Sequence, residues 1–199
     1  MSRFGARVRD GAAHVSRVFA WCGGALILAS ALLITLDVIA RNLVKSTFFE
    51  SFELTGYAFA ISTAFGFAYA FFSKAHIRIE VLYNLLPRSA RAWLDVVSVC
   101  TLAAIAVTLT WWAAQTVLQN ASGGARSNSS MALPLAIPQS IWLLGLAWFA
   151  LAVFVSAGIA LGQLLRGRVD AVVADLGVAT LDEEIAASVD APPGGAKGG

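Results

Sequence analysis

The sequence predicts an all-α integral membrane protein: four transmembrane helices, both termini cytoplasmic, and an interfacial amphipathic helix between helices 2 and 3. Three observations carry that expectation. Only 13% of the 199 residues are charged, about half the share of a soluble domain. The deficit is uneven, because residues 18–36, 54–73, 96–125 and 127–165 hold no Asp, Glu, Lys or Arg. Each of these stretches reaches the roughly 20 apolar residues with which a helix crosses a bilayer core. The basic residues are lopsided as well. Of the five segments that these stretches separate, the first, third and fifth together hold 11 Lys and Arg, and the second and fourth hold three. Positive residues stay on the cytoplasmic side, which places both ends of the chain and the second connection there. The pattern excludes a soluble enzyme, a nucleic-acid binder and a disordered chain. It also excludes an outer-membrane barrel, whose strands would alternate in hydropathy over about ten residues.

Residues 1–17 read as a basic cytoplasmic lead, with Arg3, Arg7, Arg9 and Arg17, and residues 18–165 as the membrane domain. The first helix is expected over 18–40. Its uncharged core is longer than the roughly 7–15 residues of a secretory signal, and Asp37 and Arg41 follow it in place of a cleavage pattern, so it is retained. A short outer connection leads to the second helix, 54–73. Here Gly56, Ala60, Ala64 and Ala68 recur at every fourth position, a face that lets another helix approach closely. Phe59, Phe67, Phe71 and Phe72 cover the opposite surface.

The second connection predicts an interfacial helix over 76–86. At 100° per residue Glu80 and Asn84 share a narrow polar wedge with Arg88, while Ile77, Ile79, Val81, Leu82, Leu85 and Leu86 fill the remainder. Pro87 then opens the third helix, 90–117, with Trp93 at its inner boundary and Trp111 and Trp112 toward its outer one. The following connection is serine- and glycine-rich, polar and flexible at first, and then apolar with Pro134 and Pro138. The fourth helix, 138–165, carries a GxxxG pair, Gly158 and Gly162, as a candidate helix contact. Residues 166–199 form a cytoplasmic tail: a short amphipathic turn around Val169, Val172, Val173 and Leu176, a capping box at Thr180 and Glu183, and a disordered Pro- and Gly-rich end.

The chemistry-bearing residues are sparse. A proton- or ion-coupled carrier keeps ionisable groups near the bilayer midplane, because their cost is repaid only by function. Here Asp37, Glu50 and Glu53 fall at outer boundaries, and His76 and Asp95 at inner ones. His14 and His76 lie outside the spans, which argues against a bis-histidine haem. Cys22 and Cys100 form no CxxC pair and read as small packing residues. No catalytic, cofactor or metal residues are expected in the chain. What remains is an integral-membrane subunit whose business is with another protein.

The order of features resembles the small permease subunit, the DctQ-like Q subunit, of tripartite ATP-independent periplasmic (TRAP) transporters. The resemblance rests on residues 37–42 (DVIARN), 49–54 (FESFEL), 74–80 (KAHIRIE), 85–87 (LLP) and 133–138 (LPLAIP), and spans about residues 15–167. It implies a multi-pass protein of the bacterial inner membrane that scaffolds a large permease subunit, the M subunit. Sodium is expected in that partner, and a periplasmic substrate-binding protein docks on both to deliver an organic acid. On this resemblance Arg41 and Glu53 are candidates for contact with the large subunit or the binding protein. His76, Arg78 and Glu80 are candidates for fixing the interfacial helix to its neighbour. Membrane lipid is the remaining partner, and nucleic acid is not one. A four-helix anchor or assembly subunit of a redox or signalling complex is the alternative.

Overall fold

The structure is a computed structural model that describes the backbone of residues 3–44, 50–73 and 86–176. Side chains are described for these residues apart from 3–8, 44 and 174. The expected interfacial helix with His76, Arg78 and Glu80, and the tail beyond Leu176, lie outside the described residues. Within them the chain is all-helical, with α1 (Arg3–Val44), α2 (Ser51–Phe72), α3 (Arg88–Ser122), α4 (Ala136–Leu165) and a short α5 (Val169–Leu176). The first four are long and apolar enough to cross a membrane.

Two helices outrun the uncharged stretches from which they were predicted. α1 is continuous from Arg3, so much of the basic lead is helical and not a separate element. Alanine and arginine are strong helix formers, and no proline interrupts residues 3–44. At 1.5 Å per residue its 42 residues measure about 63 Å, roughly twice a bilayer core. α3 likewise continues through Ser122, well past the expected exit near Val117. Pro138 is the third residue of α4, inside the first turn, where the missing N–H costs no intrahelical bond.

The four long helices form an open row in the order α1, α2, α4, α3. Two antiparallel hairpins, α1–α2 and α3–α4, meet along the α2–α4 seam. The loops that close both hairpins share one end of the row, here the loop end. The start of α1, the start of α3 and α5 share the other, the terminal end.

Each seam has its own side-chain logic. Along α1, Ser16, Gly23 and Asp37 are the only buried residues between 9 and 43, and Ser30, which continues their seven-residue spacing, is half-buried. A seven-residue repeat keeps one stripe of a helix facing its neighbour, and these small or polar residues let α2 come close. The Ser62 hydroxyl donates to the Gly23 carbonyl at 2.9 Å, and a Cβ on Gly23 would lie 3.1 Å from the Ser62 carbonyl oxygen. Phe19 of α1 stacks on Phe65 of α2, with ring centroids 4.8 Å apart.

On α3 the buried residues Ala92, Val96, Val99, Ala103, Ala106, Ala113 and Val117 follow alternating steps of three and four, with Thr110 completing the series. That spacing is the left-handed, near-parallel packing of helical hairpins. It meets Leu146, Ala150, Val153, Ala157, Ala160 and Leu164 of α4. Thr110 donates to the Leu146 carbonyl across the seam at 3.2 Å.

The central seam is the tightest. A Cβ built on Gly145 would lie 2.7 Å from Phe65 Cδ1, 2.9 Å from Ala64 Cβ and 3.0 Å from the Ala64 carbonyl carbon. Glycine at this position is therefore a requirement of shape. Ala64 and Ala68 are fully buried here, whereas Gly56 and Ala60, in the loop-end half of the same stripe, are exposed. Gly158 and Gly162 of the GxxxG pair have nothing within 4 Å of a built Cβ, so they make no close approach to another described part of the chain.

Gly145→Ala is expected to lower the stability of the purified protein by about 1–3 kcal/mol, the usual penalty of overpacking. Gly158→Ala and Gly162→Ala should leave it unchanged or slightly raised. Reversible unfolding in mixed micelles measures all three, and equal effects at the three positions would contradict this packing.

Candidate functional site

The polar residues of the row gather at its two ends. At the loop end, Asp37 lies about two turns before the close of α1 and is only 4% exposed. Its Oδ2 accepts from Arg41 Nε and Arg41 Nη2, both at 2.9 Å, and from the Ser51 hydroxyl at 2.6 Å. Arg41 is one helical turn beyond Asp37, and Ser51 is the first residue of α2. One carboxylate oxygen therefore fastens the α1–α2 turn from both sides. The Arg41 side chain itself remains half exposed, so its remaining guanidinium N–H groups are open to another group.

Glu53 sits two residues after Ser51, on the opposite side of α2. Tyr57, one turn further on, donates its hydroxyl to Glu53 Oε1 at 2.5 Å. The Ser127 and Ser129 hydroxyls of the α3–α4 connection lie beside the same carboxylate. Next to it the Ser130 hydroxyl donates to Glu50 Oε1 at 2.7 Å. These contacts join the two loops that close the hairpins. Asn120 Nδ2 adds a bond to Gln139 Oε1 at 2.8 Å, closing α3 on α4 below the loop.

The connection over 123–135 is bridged by its own backbone hydrogen bonds. Ser127 N–H donates to the Leu133 carbonyl at 2.8 Å, and Leu135 N–H to the Ala125 carbonyl at 3.1 Å, so the loop closes like a hairpin. Gly124 takes a positive φ of 63°, which supplies the turn out of α3. Arg126 Nη1 donates to the Ala132 carbonyl at 3.2 Å across the same loop. Serine and glycine here serve turn geometry and hydroxyl bridging, which composition alone does not distinguish from a loose linker.

The sequence-derived candidates are thus distributed unevenly. Arg41 and Glu53 both reach the loop-end rim, on opposite sides of α2. Ala64 and Ala68 line the α2–α4 seam. Gly56, Ala60, Gly158 and Gly162 face open space or meet no neighbour closely. Residues the sequence did not single out are Ser51, Tyr57, Ser127, Ser129 and Ser130, which complete the rim, and Ser16, Gly23 and Gly145, which set the helix approaches. The seven-residue spacing of Ser16, Gly23, Ser30 and Asp37 in an otherwise apolar helix was the available signal for the α1 members of this set.

Asp37→Ala should lower the thermal midpoint of the detergent-purified protein clearly, because it releases Ser51 and Arg41 together. Arg41→Ala should lower it less, since Arg41 is itself half exposed and the Ser51 hydroxyl still bonds the Asp37 carboxylate. A larger loss from Arg41→Ala would contradict the assignment of Asp37 as the fastening group.

A search of curated proteins and of solved structures finds no match. Residues 30–164 match the family described as tripartite ATP-independent periplasmic transporters, DctQ component. That segment is more than half of the chain and runs from the middle of α1 to the end of α4. With four helices fit to cross a membrane and a match over the hairpin pair, this multi-pass membrane protein belongs to the DctQ family, the small permease component of TRAP transporters.

Proposed function

We propose that this chain is the non-catalytic small subunit that scaffolds the large permease subunit for sodium-coupled, binding-protein-dependent uptake of an organic acid across the bacterial inner membrane. The observation that carries this reading is where charge sits in the described helices. No charged side chain lies between Arg17 and Asp37 of α1, beyond Glu53 in α2, beyond Asp95 in α3, or anywhere in α4. A coupling site near the midplane would need such groups, so sodium and substrate belong to the large subunit.

The open row supports a scaffold. α1 and α3 form its two edges and leave long apolar surfaces uncovered, with Trp21, Leu28, Leu32 and Leu36 on α1 and Trp93, Ile105, Trp111 and Trp112 on α3 all exposed. Lipid and the large subunit divide these surfaces between them. Gly56 and Ala60, exposed beside the rim, offer the large subunit a place for close helix approach. The rim, with Arg41 and Glu53, faces the periplasm and meets the binding protein or the large subunit. The terminal end, with Arg9, Arg17, Arg88, Arg91, Arg166 and Arg168, faces the cytoplasm, as positive residues do. Residues 76–86, with His76, Arg78 and Glu80, brace this scaffold at the cytoplasmic surface.

Sodium-dependent uptake of an organic acid is expected in proteoliposomes only when this chain, its large subunit and the binding protein are present together. Uptake by this chain alone would overturn the proposal. For orientation, Asn128→Cys at an exposed position of the rim should react with an impermeant maleimide in whole cells with a permeabilised outer membrane. Arg168→Cys should react only after the inner membrane is opened. The reverse pattern would place the rim in the cytoplasm.

A further inference from the structure

The terminal end carries a contact that the scaffold reading does not use. α4 ends in a Schellman turn: Arg168 N–H donates to the Gln163 carbonyl at 3.0 Å, Gly167 N–H to the Leu164 carbonyl at 2.9 Å, and Gly167 takes a φ of 69°. This turn sends α5 back across the row. Val172 of α5 is fully buried in the α3–α4 core, and Val169, Val173 and Leu176 pack beside it. α5 is therefore seated on the α3–α4 hairpin by its apolar face.

Its last turn reaches the other hairpin. Arg9 of α1 pairs with Asp175 Oδ1 at 3.2 Å through Nη1, and its Nη2 donates to the Asp175 main-chain carbonyl at 3.0 Å. Gln163 of α4 donates to Asp175 Oδ2 at 2.9 Å. The pair is mostly shielded, with Asp175 14% and Arg9 35% exposed at their side chains, and the guanidinium also caps a carbonyl in the last turn of α5. By contrast the Arg88–Asp170 pair between α3 and α5, at 3.6 Å, is more than four-fifths exposed at both partners.

α1 otherwise touches α4 sparingly, through the Trp148 indole N–H donating to the Ser16 hydroxyl at 2.9 Å and the edge contact of Phe19 with Trp148. An edge helix held mainly along one seam can pivot on it. We propose that α5 is a strap that fixes the terminal-end spacing between α1 and the α3–α4 hairpin, so that loss of the Arg9–Asp175 contact lets α1 swing on its α2 seam. Both halves of the strap, Arg9 and α5, lie outside the segment 30–164 that matches the family. Its presence does not depend on the scaffold reading.

Spin labels test it on the full-length chain in lipid nanodiscs. In a Cys22→Ala, Cys100→Ala background, labels are placed at His14→Cys on α1 and Ser98→Cys on α3, both exposed positions. Pulsed electron resonance should give one narrow distance distribution, broadened toward longer distances by Arg9→Ala and by Asp175→Asn. Arg88→Ala, which removes only an exposed pair, should leave it unchanged. Unchanged distributions in both Arg9→Ala and Asp175→Asn, or equal broadening in Arg88→Ala, would overturn the strap. Because no large subunit or substrate is present, failure here is distinguishable from failure of the transport reading.

Discussion

The row depends on one close approach, the backbone of α4 at Gly145 lying against Ala64 and Phe65 of α2. In lipid, helices gain nothing from hiding apolar surface, since acyl chains are as apolar as leucine. What remains is dispersion over well-fitted surfaces, and that falls off steeply when a gap opens. A methyl group at Gly145 would sit inside the contact distance of three separate atoms. The two hairpins are each closed by their own loops, but they join only where this seam permits. α1 then rests on α2, α3 rests on α4, and both edge helices inherit their positions from the centre.

Polar contacts reinforce the seam at the two ends of the row. At the loop end Ser130 of the α3–α4 connection, bonded to Glu50 just before α2, joins one hairpin to the other. At the terminal end Arg9 and Asp175 do the same through α5. Between these ends the described helices carry no charged side chain, and most of their threonine and serine hydroxyls bond to the carbonyl one turn back in their own helix, as with Thr35, Thr63, Thr101 and Thr108. This division suits the non-catalytic scaffold proposed above. Asp37 and Asp95 sharpen the picture. Both looked like boundary charges in the sequence, yet both are buried within the protein, 4% and 2% exposed, and so belong to its internal framework and not to a headgroup surface.

The four helices were legible because charge is excluded from lipid residue by residue, and length then counts the spans. Helix ends were less legible, since α1 and α3 continue past their expected bounds on ordinary helix propensity, to which hydropathy is blind. The small-residue stripe of α2 was visible, but its partner was not. The sequence offered Gly158 and Gly162 because they form a pair, whereas the close contact falls to the lone Gly145, whose role depends on what lies across the seam. The seven-residue spacing of Ser16, Gly23, Ser30 and Asp37 was present and informative. Arg41 and Glu53 were identifiable from their motif, but the serines that meet Glu53 arrive from a loop more than 70 residues away and leave no local trace.

Two helical hairpins are thus held as one row by the α2–α4 seam. Its most direct test is to produce residues 1–80 and 81–199 as separate chains in the same membrane and purify through a tag on one of them. The expected result is recovery of both in equal amounts, lost when the second chain carries Gly145→Leu. Separate purification of the unsubstituted halves, or equal recovery with Gly145→Leu, would contradict this packing.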